Sequence, residues 1–336
     1  MDLRMPIIVL ACSFIIATVI APLYIKFLRK LKFGQQIITE YGPTWHKKKQ
    51  GVPTMGGLIF ITGIVISYFL FAFKYYTAGE SSGVASMLPS AGVTTLLICL
   101  LLGLMGFADD FVKIRKKHNQ GLTSLQKIII QGLIAVAFLI YDAIRTGGRT
   151  SVDIPFINYT LELSYFYYVF AIIAFVGFVN AVNLTDGIDG LATSVTLPVA
   201  AFYMIAAIFT GAEELSLLSG ALLGGCIGFL LYNWNPAKVF MGDTGSMFLG
   251  GMVVCLAFLL DMPLILIVVG FIYLCEAVSV MIQVTYYKIT KGKRLFKMTP
   301  IHHHFEMSNW SEKKIVFVFA GISTVLCALA LLWVLL

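Results

Sequence analysis

The sequence predicts an all-α integral membrane protein of ten transmembrane helices, with both termini extracytoplasmic and one small extracytoplasmic β-hairpin. Three observations predict it. Of 336 residues, 59% are hydrophobic and 12% charged, with a mean hydropathy of +0.90, which leaves too little polar surface to coat a soluble globule of this size. The apolar residues fall in runs of about the 20 residues that a helix needs to cross a hydrocarbon layer. These runs recur along the whole chain, and the loops between them alternate between two classes of very different basic content. Residues 1–336 are therefore read as a single integral membrane domain.

The first run, 5–28, stands where a signal peptide would. It is long and lacks a small-residue cleavage site before its basic flank, so it is expected to stay as the first span. Runs at 57–75 and 91–108 give the second and third spans, and 125–144 the fourth. Between Ser151 and Leu163 apolar and polar residues alternate around Asn158, the pattern of a small hairpin. Spans at 164–182, 191–210, 214–232, 246–261, 263–287 and 315–336 complete the set.

One class of loop holds 20 of the 24 Lys and Arg: Lys26, Arg29, Lys30, Lys32 and Lys47 to Lys49, five from Lys113 to Lys127, Lys238, and seven from Lys288 to Lys314. Only Arg4, Lys74, Arg145 and Arg149 fall on the other side. Positive charge is retained on the cytoplasmic side of a membrane, so the basic loops face in and both termini face out. The net charge of +7 is accounted for by these loops and gives no nucleic-acid-binding face. The six cysteines all lie in apolar runs without metal-clip spacing, which argues against disulfides and zinc.

With the orientation fixed by Lys and Arg alone, the remaining ionisable groups are an independent observation. All five histidines, His46, His118, His302, His303 and His304, land inside. Five carboxylates join them at the mouths of spans: Asp109 and Asp110 ending the third, Asp186 and Asp189 after the fifth, and Asp243 after the seventh. A charge near the bilayer interior costs roughly 2.5–3.5 kcal/mol, so such a cluster needs a compensating partner. A hard divalent cation fits, and magnesium in particular takes one or two carboxylates together with substrate phosphates.

Five segments carry the chemistry. Gly106 to Lys113 places Asp109 and Asp110 at a helix end with Lys113 a turn later; adjacent residues diverge by about 100° on a helix, so one carboxylate can hold metal while the other meets substrate. Asn180-Ala-Val-Asn-Leu-Thr-Asp-Gly-Ile-Asp-Gly190 brings Asn180, Asn183, Asp186 and Asp189 together with glycines that favour a turn exposing backbone N–H groups, a cradle for a nucleotide or phosphate. Phe240-Met-Gly-Asp-Thr-Gly-Ser246 sets Asp243 just before a helix N-terminus, where anions and their metal complexes are accommodated. Lys49 to Gly57, including Thr54, supplies a cation and close-approach glycines, and reads equally as a basic loop followed by helix packing. Pro300-Ile-His-His-His-Phe-Glu306 offers imidazoles to a diphosphate, since three successive side chains point apart and do not readily share one metal. Glu276, deep in the ninth run, and Gln283, nearer its cytoplasmic end, are expected to face the bundle or a cavity.

Asp109-Asp110, the Asn180–Gly190 segment, Phe240-Met-Gly-Asp243 and the Pro300–Glu306 motif together resemble the bacterial phospho-N-acetylmuramoyl-pentapeptide transferases over essentially the whole chain. The first two are common to the wider polyprenyl-phosphate N-acetylhexosamine-1-phosphate transferase superfamily, whereas the triple histidine and Pro-Thr-Met-Gly-Gly at 53–57 point to the muramoyl branch. Val52 in place of a common Thr and Ile188 in place of Leu are conservative departures.

The resemblance implies transfer of phospho-N-acetylmuramoyl-pentapeptide from UDP-MurNAc-pentapeptide to undecaprenyl phosphate, giving lipid I and UMP, by a magnesium-dependent homodimer of the bacterial cytoplasmic (inner) membrane. It implies ten spans, an active site facing the cytoplasm, and a bend in the ninth span that opens a groove for the membrane lipid. On this basis Asp243 is the principal metal ligand, Asp109 keeps the lipid phosphate deprotonated, and Asp110 supports metal or phosphate. Asn183, Asp186 and Phe240 are expected at the uridine or diphosphate, Lys49, Thr54 and Gln283 at the nucleotide-sugar site, and His302 and His303 at the diphosphate. A single displacement and a covalent route through an aspartate both remain open.

Two other functions share the same outline. A secondary transporter would place its ionisable groups near the midplane, not at one face. A sister transferase using UDP-GlcNAc differs only in its donor.

Overall fold

In the computed structural model, the described residues are 3–31, 49, 51–77, 90–116, 121–157 and 159–335. Lys32, His46, Lys47, Lys48, His118 and Asn158, each named above, lie outside them. The elements in chain order are α1 (Arg4–Lys30), α2 (Gly57–Thr77), α3 (Ala91–Lys116), α4 (Ser124–Thr146), β1 (Ser151–Ile154), β2 (Tyr159–Glu162), α5 (Phe166–Thr185), α6 (Leu191–Phe209), α7 (Glu213–Asn233), α8 (Gly242–Leu259), a 3-10 turn (Pro263–Ile265), α9 (Leu266–Val269), α10 (Phe271–Ile289), α11 (Ile301–Glu306) and α12 (Glu312–Leu335).

Among the described residues, eight helices are long and apolar enough to cross a membrane. Gly57–Phe73 is a shorter apolar helix. The ninth run, read from sequence as one span over 263–287, is bent, as the resemblance implies: Pro263–Val269 and Phe271–Ile289 meet at an angle of 82°. Proline opens the first piece and Gly270 ends it, where no side chain stiffens the junction.

α8 is the axis of the bundle, with 89% of its apolar window buried against 22% in α1. It lies along α3 and α5, and α7 lies along α1 and α6. Close approach replaces hydrophobic segregation as the driving force between helices in lipid, and α7 shows how. Gly220, Gly224 and Gly228, four residues apart, line one stripe of it, and a Cβ at any of them would overlap the backbone of α1 at Pro6, Leu10 or Phe14. That stripe seats α1 although little of α1 is buried.

The hairpin is an antiparallel pair running from Ser151↔Glu162 to Ile154↔Tyr159, as the alternation predicts, with Val152 its buried residue. α4 begins with a capping box, Thr123 accepting from the Gln126 N–H and Gln126 returning the bond, and ends on Gly147 in the left-handed region at φ 68°. Such a cap contributes about 1 kcal/mol and here fixes the entry of the helix beside the acidic cluster.

Two boundaries move functional residues. α3 continues to Lys116, so Asp109 and Asp110 lie within the helix and not at its end. α8 begins at Gly242, so Asp243 occupies the first turn and does not precede it. Hydropathy ended both spans at the first charges, but neighbouring backbone and lysines satisfy those charges and the helices continue through them.

Candidate active site

Two helices deliver the acidic cluster. Asp109 and Asp110 from α3 and Asp243 from α8 bring a carboxylate oxygen each to within 4.8 Å of one another. Asp109 is fully buried and Asp110 nearly so. α3 comes this close because Gly106 rests against the first turn of α8, where a Cβ would overlap the Asp243 carbonyl.

The two aspartates of α3 face different tasks, as their divergence on the helix requires. Asp110 turns to α8: its Oδ1 accepts from the Asp243 N–H at 3.2 Å, and its Oδ2 from the Thr244 N–H at 3.0 Å and Thr244 Oγ1 at 2.7 Å. It caps the N-terminus of α8 from a neighbouring helix, satisfying amides that have no intrahelical partner and meeting the positive end of the helix dipole. Asp109 turns instead to the segment before α4 and to two lysines. Its Oδ1 accepts from the Leu122 N–H at 2.6 Å, and its Oδ2 meets Lys113 Nζ at 2.6 Å and Lys127 Nζ at 2.9 Å.

Both lysines also reach Asp243 Oδ2, Lys113 at 3.0 Å and Lys127 at 2.8 Å. Two carboxylates and two ammonium groups thus alternate in a ring, with Asn183 Nδ2 on Asp243 Oδ1 at 3.0 Å and on Ser246 Oγ at 2.7 Å. Lys127, in the first turn of α4, was counted from sequence only as a topological charge. A cation at the start of an otherwise apolar run was the available signal.

A second cluster lies beside it. Lys49 Nζ donates to Asp189 Oδ1 and to Glu312 Oε2, both at 2.7 Å. Asn235 Nδ2 donates to Asp189 Oδ2 at 3.2 Å and Glu312 Oε2 at 3.0 Å, and the Ala237 N–H donates to Asp189 Oδ2 at 2.9 Å. Asn235 and Glu312 were not among the residues expected from sequence, because each is one polar residue in a loop next to a span. Half-buried Phe240 is held by its backbone, its N–H on the Pro53 carbonyl and its carbonyl on the Gly56 N–H. Buried Thr54 sits against Gly242, which has a φ of 71° and fits between Thr54 and Asp110 because it has no side chain.

The histidine motif is a helix, α11, and not a solvated loop. His302 Nδ1 is 3.0 Å from Oε2 of Glu276, and both side chains are fully buried. His303 Nδ1 is 2.5 Å from Glu306 Oε2, and His304 Nδ1 accepts from the Lys297 N–H at 3.1 Å. Among the described residues, His302 Nε2 and Glu276 Oε1 have no hydrogen-bond partner, and a Cβ at Gly187 would overlap the His302 ring. The glycine-containing turn therefore lies directly over this imidazole.

Two expected residues are otherwise engaged. Asn180 exchanges hydrogen bonds with Gln131 of α4, 2.6 Å in the shorter direction, one turn of α5 above Asn183. Gln283 holds the chain beyond α10, its Oε1 accepting from the Leu295 and Phe296 N–H groups at 3.1 and 2.9 Å.

Asp186 links the clusters from the turn between α5 and α6. Burial, then the charges of Asp243, Asp110 and Asp189, hold its carboxyl well above the usual carboxylate range. A raised folded-state pKa means that ionisation is penalised in the fold, so the penalty is absent below the ordinary carboxylate range, grows as pH rises above that range, and levels off once pH passes the folded-state value. In metal-free protein, Asp186→Asn is expected to raise the melting temperature at neutral and alkaline pH, with the gain shrinking toward acid. A pH-independent difference in thermal melts would overturn this account.

The profile of glycosyl transferase family 4 matches residues 92–261. The phospho-N-acetylmuramoyl-pentapeptide-transferase of Clostridium perfringens (strain 13 / Type A) is 47% identical over 96% of this chain and 97% of its own length. Those of Listeria monocytogenes serotype 4b (strain CLIP80459) and Caldicellulosiruptor bescii are 41% and 42% identical over 97% of this chain and 97% and 96% of their own lengths. On this likeness, which spans nearly the whole chain, the chain belongs to the phospho-N-acetylmuramoyl-pentapeptide transferases of glycosyl transferase family 4.

Proposed function

We propose that this chain transfers phospho-N-acetylmuramoyl-pentapeptide from UDP-MurNAc-pentapeptide to undecaprenyl phosphate, giving lipid I and UMP, at the cytoplasmic face of a bacterial inner membrane. The observation that carries the reading is the ring of Asp109, Lys113, Lys127 and Asp243 at the mouth of the bundle. Ten crossings follow if the bent pair counts as one span and Gly57–Phe73 as another. The homodimer rests on the resemblance.

Bringing a lipid phosphate to a diphosphate concentrates negative charge, so catalysis rests on positioning and neutralisation. Asp109, Asp110 and Asp243 offer hard oxygens at a spacing that suits magnesium. Bound there, magnesium would neutralise the diphosphate and polarise its P–O bonds. Asn183 fixes the Asp243 carboxylate in plane, leaving Oδ2 as the atom that changes partner. Lys113 and Lys127, which neutralise the two aspartates in the free enzyme, turn to the incoming phosphates and release Asp109 and Asp243 Oδ2 together. Asp109 is then placed to keep the attacking lipid phosphate deprotonated. Lys49, Asp189 and Glu312 form the nucleotide side with Thr54 and Phe240, and Asp186 with His302 to His304 border the diphosphate. Glu276 holds His302 so that Nε2 points toward the Gly187 turn.

Detergent-solubilised protein given undecaprenyl phosphate and labelled donor should form lipid product from UDP-MurNAc-pentapeptide and not from UDP-GlcNAc. Turnover of UDP-GlcNAc alone would make it the sister transferase. Substrate movement across vesicles without chemistry would make it a transporter.

A further inference from the structure

Lys49, Lys113 and Lys127 in the acidic clusters have carboxylate partners, and so do Arg145 and Arg149 on the opposite side. The segment after α10 is different. Lys288, Lys291, Lys293, Arg294 and Lys297 crowd into ten residues, all exposed, and none meets a carboxylate within ion-pair distance among the described residues. Exposed apolar side chains are interleaved with them, Ile289 at 75% and Leu295 at 52%, and they continue the outward face of α10 through Met281, Ile282 and Val284.

The segment is also held in shape. Gln283 binds the backbone of Leu295 and Phe296 from inside, the Lys297 N–H donates to His304, and Lys297 Nζ donates to the Met307 carbonyl at 3.1 Å. A fixed cluster of cations set among apolar side chains at the end of a lipid-facing helix matches an anionic interface, where each Lys or Arg contributes about 1 kcal/mol. A surface for steering a soluble anionic donor would need the charge but not the apolar residues.

We propose that residues 288–297 form a docking element for the headgroups of anionic phospholipids. Bound lipid would press this segment toward the bilayer and, through the Lys297–His304 bond and the Gln283 clasp, steady α11. The binding claim itself is independent of the reaction proposed above.

The test compares the full chain with a variant carrying Lys288→Gln, Lys291→Gln, Lys293→Gln and Arg294→Gln, leaving Lys297 and its Met307 contact intact. Native mass spectrometry after exposure to mixed phosphatidylglycerol and phosphatidylcholine reads which lipids are retained. The parent chain should prefer phosphatidylglycerol by about tenfold or more, a preference weakened by salt and lost in the variant. Equal selectivity in the two proteins overturns the proposal. Turnover in neutral and in phosphatidylglycerol-containing vesicles supplies the second arm. A stimulation by phosphatidylglycerol confined to the parent chain supports the proposal. A donor KM raised equally in both membranes, with lipid selectivity unchanged, overturns it in favour of donor steering.

Discussion

Asp243→Asn should abolish lipid I formation while the protein still folds and dimerises. The substitution keeps size and shape, and Asn183 can still meet an oxygen at that position. It removes one of two negative charges on which Lys113 and Lys127 converge and turns an N–H toward ammonium groups if the amide flips. It also removes one of three carboxylates at the metal-binding position. Loss of a group that stabilises charge in the transition state typically costs 10²–10³ in turnover, and removing a metal ligand as well should bring the loss to about 10³-fold or more. Labelled lipid product measures activity, and size-exclusion chromatography with thermal melting measures folding and assembly. Near-normal turnover would remove Asp243 from the metal.

Gly106→Ala should damage both stability and turnover without touching a charged group. The added methyl would overlap the carbonyl of Asp243 and crowd the Thr244 nitrogen, which are backbone atoms that cannot rotate aside. α3 would have to back away from α8, and overpacking of this kind costs about 1–3 kcal/mol. Asp109 and Asp110 would move with it relative to Asp243, and a displacement of about 1 Å at reacting groups can cost roughly 100-fold in rate. Gly132→Ala on α4 is the control, because nothing lies within 4 Å of the methyl it would add. Equal melting temperatures and turnover for the two variants would sink the argument.

Much of the helical architecture is legible in the sequence because lipid imposes a long-wavelength signal: long apolar runs mark the helices. The Asp109, Asp110 and Asp243 grouping was readable for the same reason, since each charge stands out at the edge of an apolar run. What escaped is pairwise. The burial of Glu276 was visible, but its partner His302 stands 26 residues away across a loop and a new helix. Lys127 and Glu312 look ordinary at span ends, and only folding sets them against Asp109 and Lys49. The four-residue glycine spacing of α7 was present in the sequence yet uninformative until α1 was known to lie against it. Gln283, placed at the nucleotide-sugar site by the resemblance, also clasps the Leu295 and Phe296 backbone, a pairing that its place in an apolar run did not announce.

Asp110 does more than add charge to the cluster. By gripping the Asp243 and Thr244 amides in the first turn of α8 from α3, it fuses those helices into a single jaw, so that shifting one drags the other and the relative poise of Asp109 and Asp243 is conserved. Any adjustment that admits two bulky substrates must then leave this pair intact and fall to other elements of the bundle.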